Sequence, residues 1–396
     1  MTRKQLPPQI TKVSLKSGAT RYQLSVAVTD TAGKRRWIKR RFETEAAARR
    51  ELATVSGQSA SGTYVGKATI TLEDAIETYL GGRHGLRPAT LAGYRAVMVP
   101  VVSELGEIAV QKITKSDIDD LVARLRAGGI AKAVRGGHSA VTRPWKPRSV
   151  NLMLTVLGAV LDSEMKQGRV ARNVVTLVDR IPQERKSLST FTAGEVRQFL
   201  DSVATDRIRH AWHLALSGLR RGEICGLRWA DVDLDNGMLT VGNNRVMAGA
   251  EIVENGPKTA ASARTLPLTP ELAAELRSAK ARQAVERLAL GTDYGPGAHV
   301  VVDEVGDPLR PDTLSARWER AVTAAGVPTI RLHDARHTCA TLMHLQAVPL
   351  SVISAWLGHT DASFTLRTYA HSQNDALKAA ATSYGALVSK RVNESK

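Results

Sequence analysis

Four stretches in the second half of the chain contain side chains that could act on a phosphodiester. They are 215–233 (ALSGLRRGEICGLRWADVD), 257–268 (PKTAASARTLPL), 333–343 (HDARHTCATLM) and 357–371 (LGHTDASFTLRTYAH). Guanidiniums can bind phosphate oxygens in pairs, a tyrosine hydroxyl can attack phosphorus, and lysine or histidine can carry protons. Together the four stretches contain what a metal-free exchange of phosphodiester bonds would need.

Taken alone, each stretch has a simpler explanation. Arg220 and Arg221 could be surface arginines of a helix, Lys258 a turn lysine, and a lone tyrosine near a C-terminus a packing residue. His333 and His337 are four residues apart and share a helix face, as zinc ligands do. However, an aspartate follows His333, so the H-E-x-x-H pattern is absent, and no clear third ligand follows. We therefore expect no metal site.

Taken together and in order, the four stretches resemble the catalytic half of the tyrosine recombinase family, phage integrase type. The positions that match the family's functional residues are Arg220, Glu223, Lys258, His333, Arg336, His359 and Tyr369. Ala335 and Ser217 depart from the family pattern, which often has leucine and threonine there, but neither is a catalytic position. The resemblance implies a site-specific DNA recombinase that works through a 3′-phosphotyrosyl intermediate and integrates phage or mobile-element DNA into a host chromosome. It implies no cofactor.

The resemblance also assigns the charge-binding roles. Arg220 and Arg336 would hold the non-bridging phosphate oxygens with paired hydrogen bonds of fixed geometry. Glu223 would support Arg220. Lysine at either arginine position would keep the charge but lose the planar fork.

Proton movements fall to the remaining matched residues. The hydroxyl of Tyr369 has an ordinary pKa near 10, so it must lose a proton as it attacks. His333 is the candidate base, His359 the candidate donor to the phosphate, and Lys258 the candidate acid for the departing 5′-oxygen.

Several alternatives stay open from the sequence. Arg221 could replace Arg220, and Tyr384 is a rival nucleophile that lacks the R-T-Y-A-H context. His337 is more typical of a buried helix histidine, and His371 could lie near the phosphate. Two other functions share the catalytic set or the fold: a type IB topoisomerase, and a DNA-binding regulator without catalytic activity.

Composition supports a nucleic-acid partner. The chain has 396 residues, a formal net charge of +17 and 43% hydrophobic residues, which suits two or three domains with genuine cores. The positive charge favours a polyanion such as double-stranded DNA. We find no apolar run long enough to span a membrane and no signal-peptide pattern, so we expect a cytoplasmic protein acting on DNA in a bacterial host cell.

The first 66 residues predict a small three-stranded sheet followed by a helix. Residues 22–28 and 35–42 alternate as strands do, and Thr44 can cap a helix over 45–55. Residues 1–70 hold 14 basic and 4 acidic side chains. One face of the second alternating run carries the residues that we expect to contact DNA, which are Arg35, Trp37, Lys39 and Arg41. This unit resembles an integrase arm-binding domain.

Residues 67–180 predict a helical domain. A Ser/Gly-rich linker is expected at 56–68, helices follow Thr71, Pro88, Ser116 and Ser149, and a second linker is expected at 179–190. A basic loop at 128–148 would touch phosphates, with Lys146 and Arg148 as candidates. The domain, including RPATLAGYR, resembles the family's core-binding domain.

Residues 187–396 predict a mainly α catalytic domain with a small antiparallel sheet. Its two expected strands lie at 238–243 and 263–269 and flank a basic turn. The whole chain is thus an α+β multidomain protein. The resemblance implies a homotetramer on core-type and arm-type DNA sites, with an excisionase and a host DNA-bending protein as further partners.

Overall fold

The computed structural model describes residues 5–15, 18–29, 35–61, 64–66, 69–128, 143–183, 189–256, 263–358, 381–385 and 388. The chain divides into two compact units, Met1–Glu184 and Arg185–Lys396. Within the described residues, no helix is both long and apolar enough to cross a membrane. The predicted α+β fold class is confirmed.

The first unit begins with a three-stranded antiparallel sheet backed by one helix. The elements are β1 (Ile10–Ser14), β2 (Thr20–Thr29), β3 (Arg35–Phe42) and α1 (Glu45–Ala60), with strand order β1-β2-β3. Successive side chains of a strand point to opposite faces of the sheet, so every second residue is buried. Val26 lies opposite Ile38, and both are buried against α1, while Ala27 lies opposite Trp37 on the other face. The predicted strands at 22–28 and 35–42 are confirmed.

Helix α1 is longer than its sequence pattern predicted. Thr44 caps it as expected, accepting a hydrogen bond from Ala47 N (3.2 Å), but the helix runs on to residue 60. The predicted linker 56–68 was therefore wrong for its first five residues. Glycine and serine cost a helix only about 1 kcal/mol each at most. Here the last turn is held by Ser59, whose hydroxyl accepts from Thr29 N (3.0 Å) at the end of β2.

The rest of the first unit is helical, as predicted. Its α-helices are α2 (Leu72–Gly81), α3 (Pro88–Leu105), α4 (Lys115–Ala127) and α5 (Pro147–Lys166). Their inward faces form one apolar core that is separate from the core under the sheet.

Two helix starts in this region correct the sequence prediction. Helix α4 is capped by Thr114 rather than starting after Ser116, because Thr114 and Asp117 exchange side-chain and backbone hydrogen bonds. Helix α5 starts at Pro147, since proline at the first helical position lacks only an N–H that would have no partner. Arg148 therefore lies in the first turn of α5 rather than in the predicted loop 128–148.

The second unit is mainly α-helical. Its α-helices are α6 (Ala193–Ser202), α7 (Arg209–Leu216), α8 (Arg221–Gly226), α9 (Pro270–Leu290), α10 (Pro311–Ala324), α11 (Leu332–Leu345) and α12 (Leu350–Leu357). Aromatic rings fill the centre of its core: Trp318 lies 4.8 Å from Phe199 and 5.7 Å from Trp212, centroid to centroid. Trp318 Nε1 donates to the carbonyl of Ile330 (2.9 Å), which fixes the chain just before α11.

Among the described residues of the second unit, the strands form two small antiparallel sheets. They are β4 (Val232–Asp233), β5 (Met238–Val241), β6 (Asn244–Ala248), β7 (Glu251–Asn255) and β8 (Arg264–Pro267). The two predicted strands do pair, with Leu239 opposite Leu266, in the order β4-β5-β8. The segment between them was predicted as a basic turn, yet it contains the β6–β7 hairpin, so that prediction was wrong.

The hairpin forms because it has a helix to pack on. A Cβ at Gly222 of α8 would lie 1.9 Å from Asn244 Oδ1, so only glycine lets β6 approach the helix this closely. This packing depends on tertiary contact, which the local strand pattern does not report. It also fixes the position of α8.

Candidate active site

Arg220 lies at the point where the chain enters α8. It is the N-cap residue, with extended backbone angles, and Glu223 lies three residues further on. The Glu223 carboxylate folds back to accept from Arg220 N (2.8 Å) and from Arg220 Nη1 (2.7 Å). The Arg220 side chain is 35% exposed, so it is oriented by Glu223 while remaining open to solvent.

Arg336 lies in α11 and is almost fully buried, with 1% of its surface exposed. Its Nη1 donates to the carbonyl of Gly218 (2.6 Å), and its Nη2 donates to the carbonyl of Leu357. Gly218 can present that carbonyl because its φ is +94°, a conformation that side chains with a Cβ rarely adopt. Arg336 thus ties the loop before α8 to the end of α12.

His333 lies one turn before Arg336 on α11 and is exposed to solvent. Partial desolvation by surrounding protein atoms lowers the pKa of the His333 imidazole, and the positive charges of Arg336 and Arg220 lower it further, against the opposing charge of Asp334. The ring is therefore neutral at pH 7 and able to accept a proton.

His337, the other histidine of this helix, is buried, as expected for a structural residue. Its ring lies 5.0 Å from that of His333, with the ring planes at 83°. Burial, together with neighbouring His333, lowers the pKa of His337 to about 4, so it is neutral over the physiological range.

Three arginines meet at the C-terminal end of α12. The consecutive carbonyls of residues 356, 357 and 358 accept, respectively, from Arg264 Nε (2.7 Å), Arg336 Nη2 and Arg220 Nη2 (3.2 Å). The last carbonyls of a helix lack intrahelical partners and carry the negative end of the helix dipole, so they attract cations. We call these three residues the arginine cluster.

Arg264 was not among the site residues predicted from the sequence. The side chain of this β8 residue is only 6% exposed and forms a double hydrogen bond with Glu223, from Nη1 to Oε1 (3.2 Å) and from Nη2 to Oε2 (3.0 Å). Burial alone would raise the pKa of the Glu223 carboxyl, but the hydrogen bond and charge of Arg264, with those of Arg220, hold it below its usual value. The sequence did contain a signal for Arg264, because it lies two residues before Leu266 and therefore on the same buried face of the strand.

The structure therefore brings Arg220, Glu223, His333 and Arg336 into one region, around the end of α12. The rival residue, Arg221, is exposed and donates to Ser315 Oγ (3.1 Å). The other predicted catalytic residues, Lys258, His359 and Tyr369, lie outside the described residues, as does His371.

The predicted DNA-contacting residues lie on exposed surfaces of the first unit. Arg35, Trp37, Lys39 and Arg41 share the face of β3 that does not pack on α1, and Trp37 is 67% exposed. Lys146 and Arg148 are exposed at the start of α5. Within the part of the chain that the structure describes, no three His, Cys, Asp or Glu side chains are grouped as metal ligands would be.

Comparisons with known proteins identify the class. Residues 189–375 match the phage integrase family. The chain is 26% identical over 388 residues to a XerC-like tyrosine recombinase of Caldanaerobacter subterraneus subsp. tengcongensis, covering 90% of this chain and 94% of the relative.

Solved integrases share the fold. The Tn1549 transposon integrase, in complex with transposon right end DNA, superposes with a TM-score of 0.62 at 19% identity over 78% of this chain and 98% of its own. The lambda integrase tetramer bound to a Holliday junction gives 0.55 at 19% identity, over 91% and 97%. The chain is a tyrosine recombinase of the integrase type, an enzyme that breaks and rejoins DNA.

Proposed function

We propose that this recombinase integrates phage or mobile-element DNA into a host chromosome, with Tyr369 as the nucleophile that becomes linked to a 3′-phosphate. The supporting observation is the arginine cluster at the end of α12, beside His333. The chain continues from Gly358 directly to His359 and reaches Tyr369 ten residues later. The matched family region ends at 375, so it includes Tyr369 and excludes the rival Tyr384.

Arg220 and Arg336 would bind the non-bridging oxygens of the scissile phosphate. Each terminal guanidinium nitrogen carries two hydrogens, so one can contact a backbone carbonyl while another contacts phosphate. Arg220 already reaches solvent, whereas Arg336 is buried, so we expect core-site binding to uncover it. Two cations at this point stabilise the charge that develops on phosphorus oxygens in the transition state.

The proton path completes the reaction. His333 takes the phenolic proton as Tyr369 Oη bonds to phosphorus, and Lys258 protonates the 5′-oxygen as its bond to phosphorus breaks. His359 donates to the phosphate. Rejoining reverses these steps with a 5′-hydroxyl as the nucleophile, and because one phosphodiester replaces another, no ATP is consumed.

DNA recognition would be divided among three domains, at 1–66, 67–180 and 187–396. The apolar core under the sheet, the core within the four helices and the main core of the second unit are separate from one another, which supports this division. The open face of β3, with Trp37 at its centre, would bind arm-type sites. The start of α5 would contact core-site phosphates through Lys146 and Arg148.

Assembly on DNA would be tetrameric. The lambda integrase that shares this fold is a tetramer on a Holliday junction, which supports a homotetramer here. An excisionase and a host DNA-bending protein would set the direction of recombination, and we expect the protein to act on DNA in the bacterial cytoplasm.

The test uses nicked suicide duplexes tiled from the DNA on either side of this gene, where we expect an attachment site. Wild type and the control Tyr384→Phe should form a covalent adduct that survives denaturing electrophoresis, while Tyr369→Phe should bind the same duplex without forming one. Binding without any adduct would favour the regulator. Efficient relaxation of a plasmid without the site would favour the topoisomerase.

A further inference from the structure

We propose that Arg264 is a positioning residue for strand cleavage: it holds Glu223 and the end of α12 in place while Arg220 and Arg336 engage the phosphate. This inference rests on the proposed function. All three side-chain nitrogens of Arg264 are engaged within the protein.

The contacts of Arg264 join three elements at one point. From β8, its Nε reaches the Trp356 carbonyl of α12, and its Nη1 and Nη2 reach both carboxylate oxygens of Glu223 on α8. The pair is enclosed, at 6% and 7% exposure, so water competes little for these bonds. A planar fork with a further donor at Nε suits this geometry, whereas a lysine could satisfy only part of it.

Arg264 becomes more important when DNA binds. In the free protein, the carbonyls at 357 and 358 are held by Arg336 and Arg220. If those guanidiniums turn toward phosphate, Arg264 keeps the carbonyl at 356 and keeps Glu223 oriented toward Arg220. The end of α12 leads directly into the segment that carries His359 and Tyr369, so this anchor sets where that segment begins.

A positioning role affects the reaction rate rather than DNA affinity. Arg264 is buried and presents no free nitrogen to DNA, so its loss should leave core-site binding close to wild type. Displacement of reacting groups by about 1 Å can reduce a rate by about 10²-fold. We therefore expect Arg264→Met to lower the single-turnover adduct-forming rate by about that factor at saturating protein.

Arg207 provides a matched control. It is a part-buried arginine of the same unit that also forms a double hydrogen bond with a glutamate, from Nε and Nη2 to Glu286 (2.9 and 2.6 Å), and it also donates to two backbone carbonyls. None of its contacts involves the arginine cluster. Arg207→Met should lower the thermal midpoint to a similar degree while its adduct-forming rate stays near that of wild type.

The experiment measures adduct rate and duplex affinity for full-length wild type, Arg264→Met, Arg264→Lys and Arg207→Met on the same suicide duplex. We expect Arg264→Lys to be intermediate in rate and to fold even if Arg264→Met does not. We also expect Glu223→Gln combined with Arg264→Met to cost little more than either change alone, because the two residues act as one unit.

Two results would overturn the positioning role. One is equal cleavage rates in the Arg264 and Arg207 variants; the other is a loss of affinity in the Arg264 variants that accounts for their whole loss of rate. A wild-type protein that binds the duplex but forms no adduct would instead overturn the proposed function, so the two failures can be told apart.

Discussion

Glu223→Gln should destabilise the second unit strongly. The carboxylate is 7% exposed and accepts from two guanidiniums, those of Arg264 and Arg220. A glutamine keeps one acceptor oxygen but turns its amide hydrogens toward a guanidinium, so a donor faces a donor. It also leaves two neighbouring arginines without their shared counter-charge.

The size of the effect follows from burial. Removing one partner of a buried ion pair costs about 3–5 kcal/mol, and we take the lower end, about 3 kcal/mol, because glutamine preserves the shape and part of the hydrogen bonding. For a unit of this size, 1 kcal/mol corresponds to about 2–4 °C, so the thermal midpoint should fall by about 6–12 °C.

The effect should also depend on pH in a defined direction. The folded-state pKa of Glu223 is lowered, so the ionised form contributes stability above the unfolded value of about 4.3. The free-energy difference between wild type and Glu223→Gln should be constant from pH 8 to about pH 5. It should shrink as pH falls below about 4.3, toward the folded-state pKa, where wild type also becomes protonated.

The assay is urea unfolding of the full chain from pH 3.5 to 8, with hydrogen exchange at α8 and α12 reporting the stability around Glu223. Glu304→Gln is the control, because Glu304 is 65% exposed and lies 3.7 Å from Arg317. It should change stability by less than about 0.5 kcal/mol. A Glu223→Gln loss no larger than the control's, or one that grows as the solution becomes more acid, would refute the argument.

Three further predictions concern other parts of the molecule. Gly218→Ala should lower the free energy of unfolding by at least about 2 kcal/mol, because φ is +94° and the new Cβ would lie 2.9 Å from Leu357 Cδ2. The control Gly237→Ala, at φ +65° with no atom within 4 Å, should cost only the backbone strain of about 1–2 kcal/mol. Equal shifts of the thermal midpoint in the two variants would contradict this. Because the pKa of His333 is lowered from 6.5, the cleavage rate should fall to half of its plateau value only at a pH below 6.5. A half-rate point above pH 6.5 would exclude His333 as the base. Trp37→Ala should weaken binding to arm-type DNA, because Trp37 is exposed on the open face of β3. Arg40→Ala should not weaken it, because Arg40 lies on the α1 face and pairs with Glu51. Equal losses of DNA affinity in filter binding would argue against the open face of β3 as the DNA surface.

Most of the helices and strands could be predicted from the sequence, because burial of one face gives the apolar residues of each element a regular spacing. The strands at 22–28 and 35–42 could be recognised because one face of a two-residue repeat meets α1. The end of α1 and the β6–β7 hairpin could not, since both depend on contacts with distant elements, at Thr29 and at Gly222.

Four of the side chains in the candidate site could be predicted from the sequence, but the backbone carbonyls that bind its arginines could not. The motifs named Arg220, Glu223, His333 and Arg336, and the structure places them in one region, while their roles stay predictions. The carbonyls at 356–358 that receive three arginines have no sequence signature, because every residue has a carbonyl. Arg264 could have been found as a charged residue on the buried face of a strand.

We expect Tyr369 to form the covalent link to DNA, and peptide mapping of the adduct tests this most directly. Trypsin cuts after Arg367 and Lys378, so residues 368–378, TYAHSQNDALK, form a peptide with a single tyrosine. After nuclease trimming, mass spectrometry should find the nucleotide on that tyrosine. A nucleotide on the peptide 379–390, which contains Tyr384, would contradict the account, as would an adduct on any other side chain.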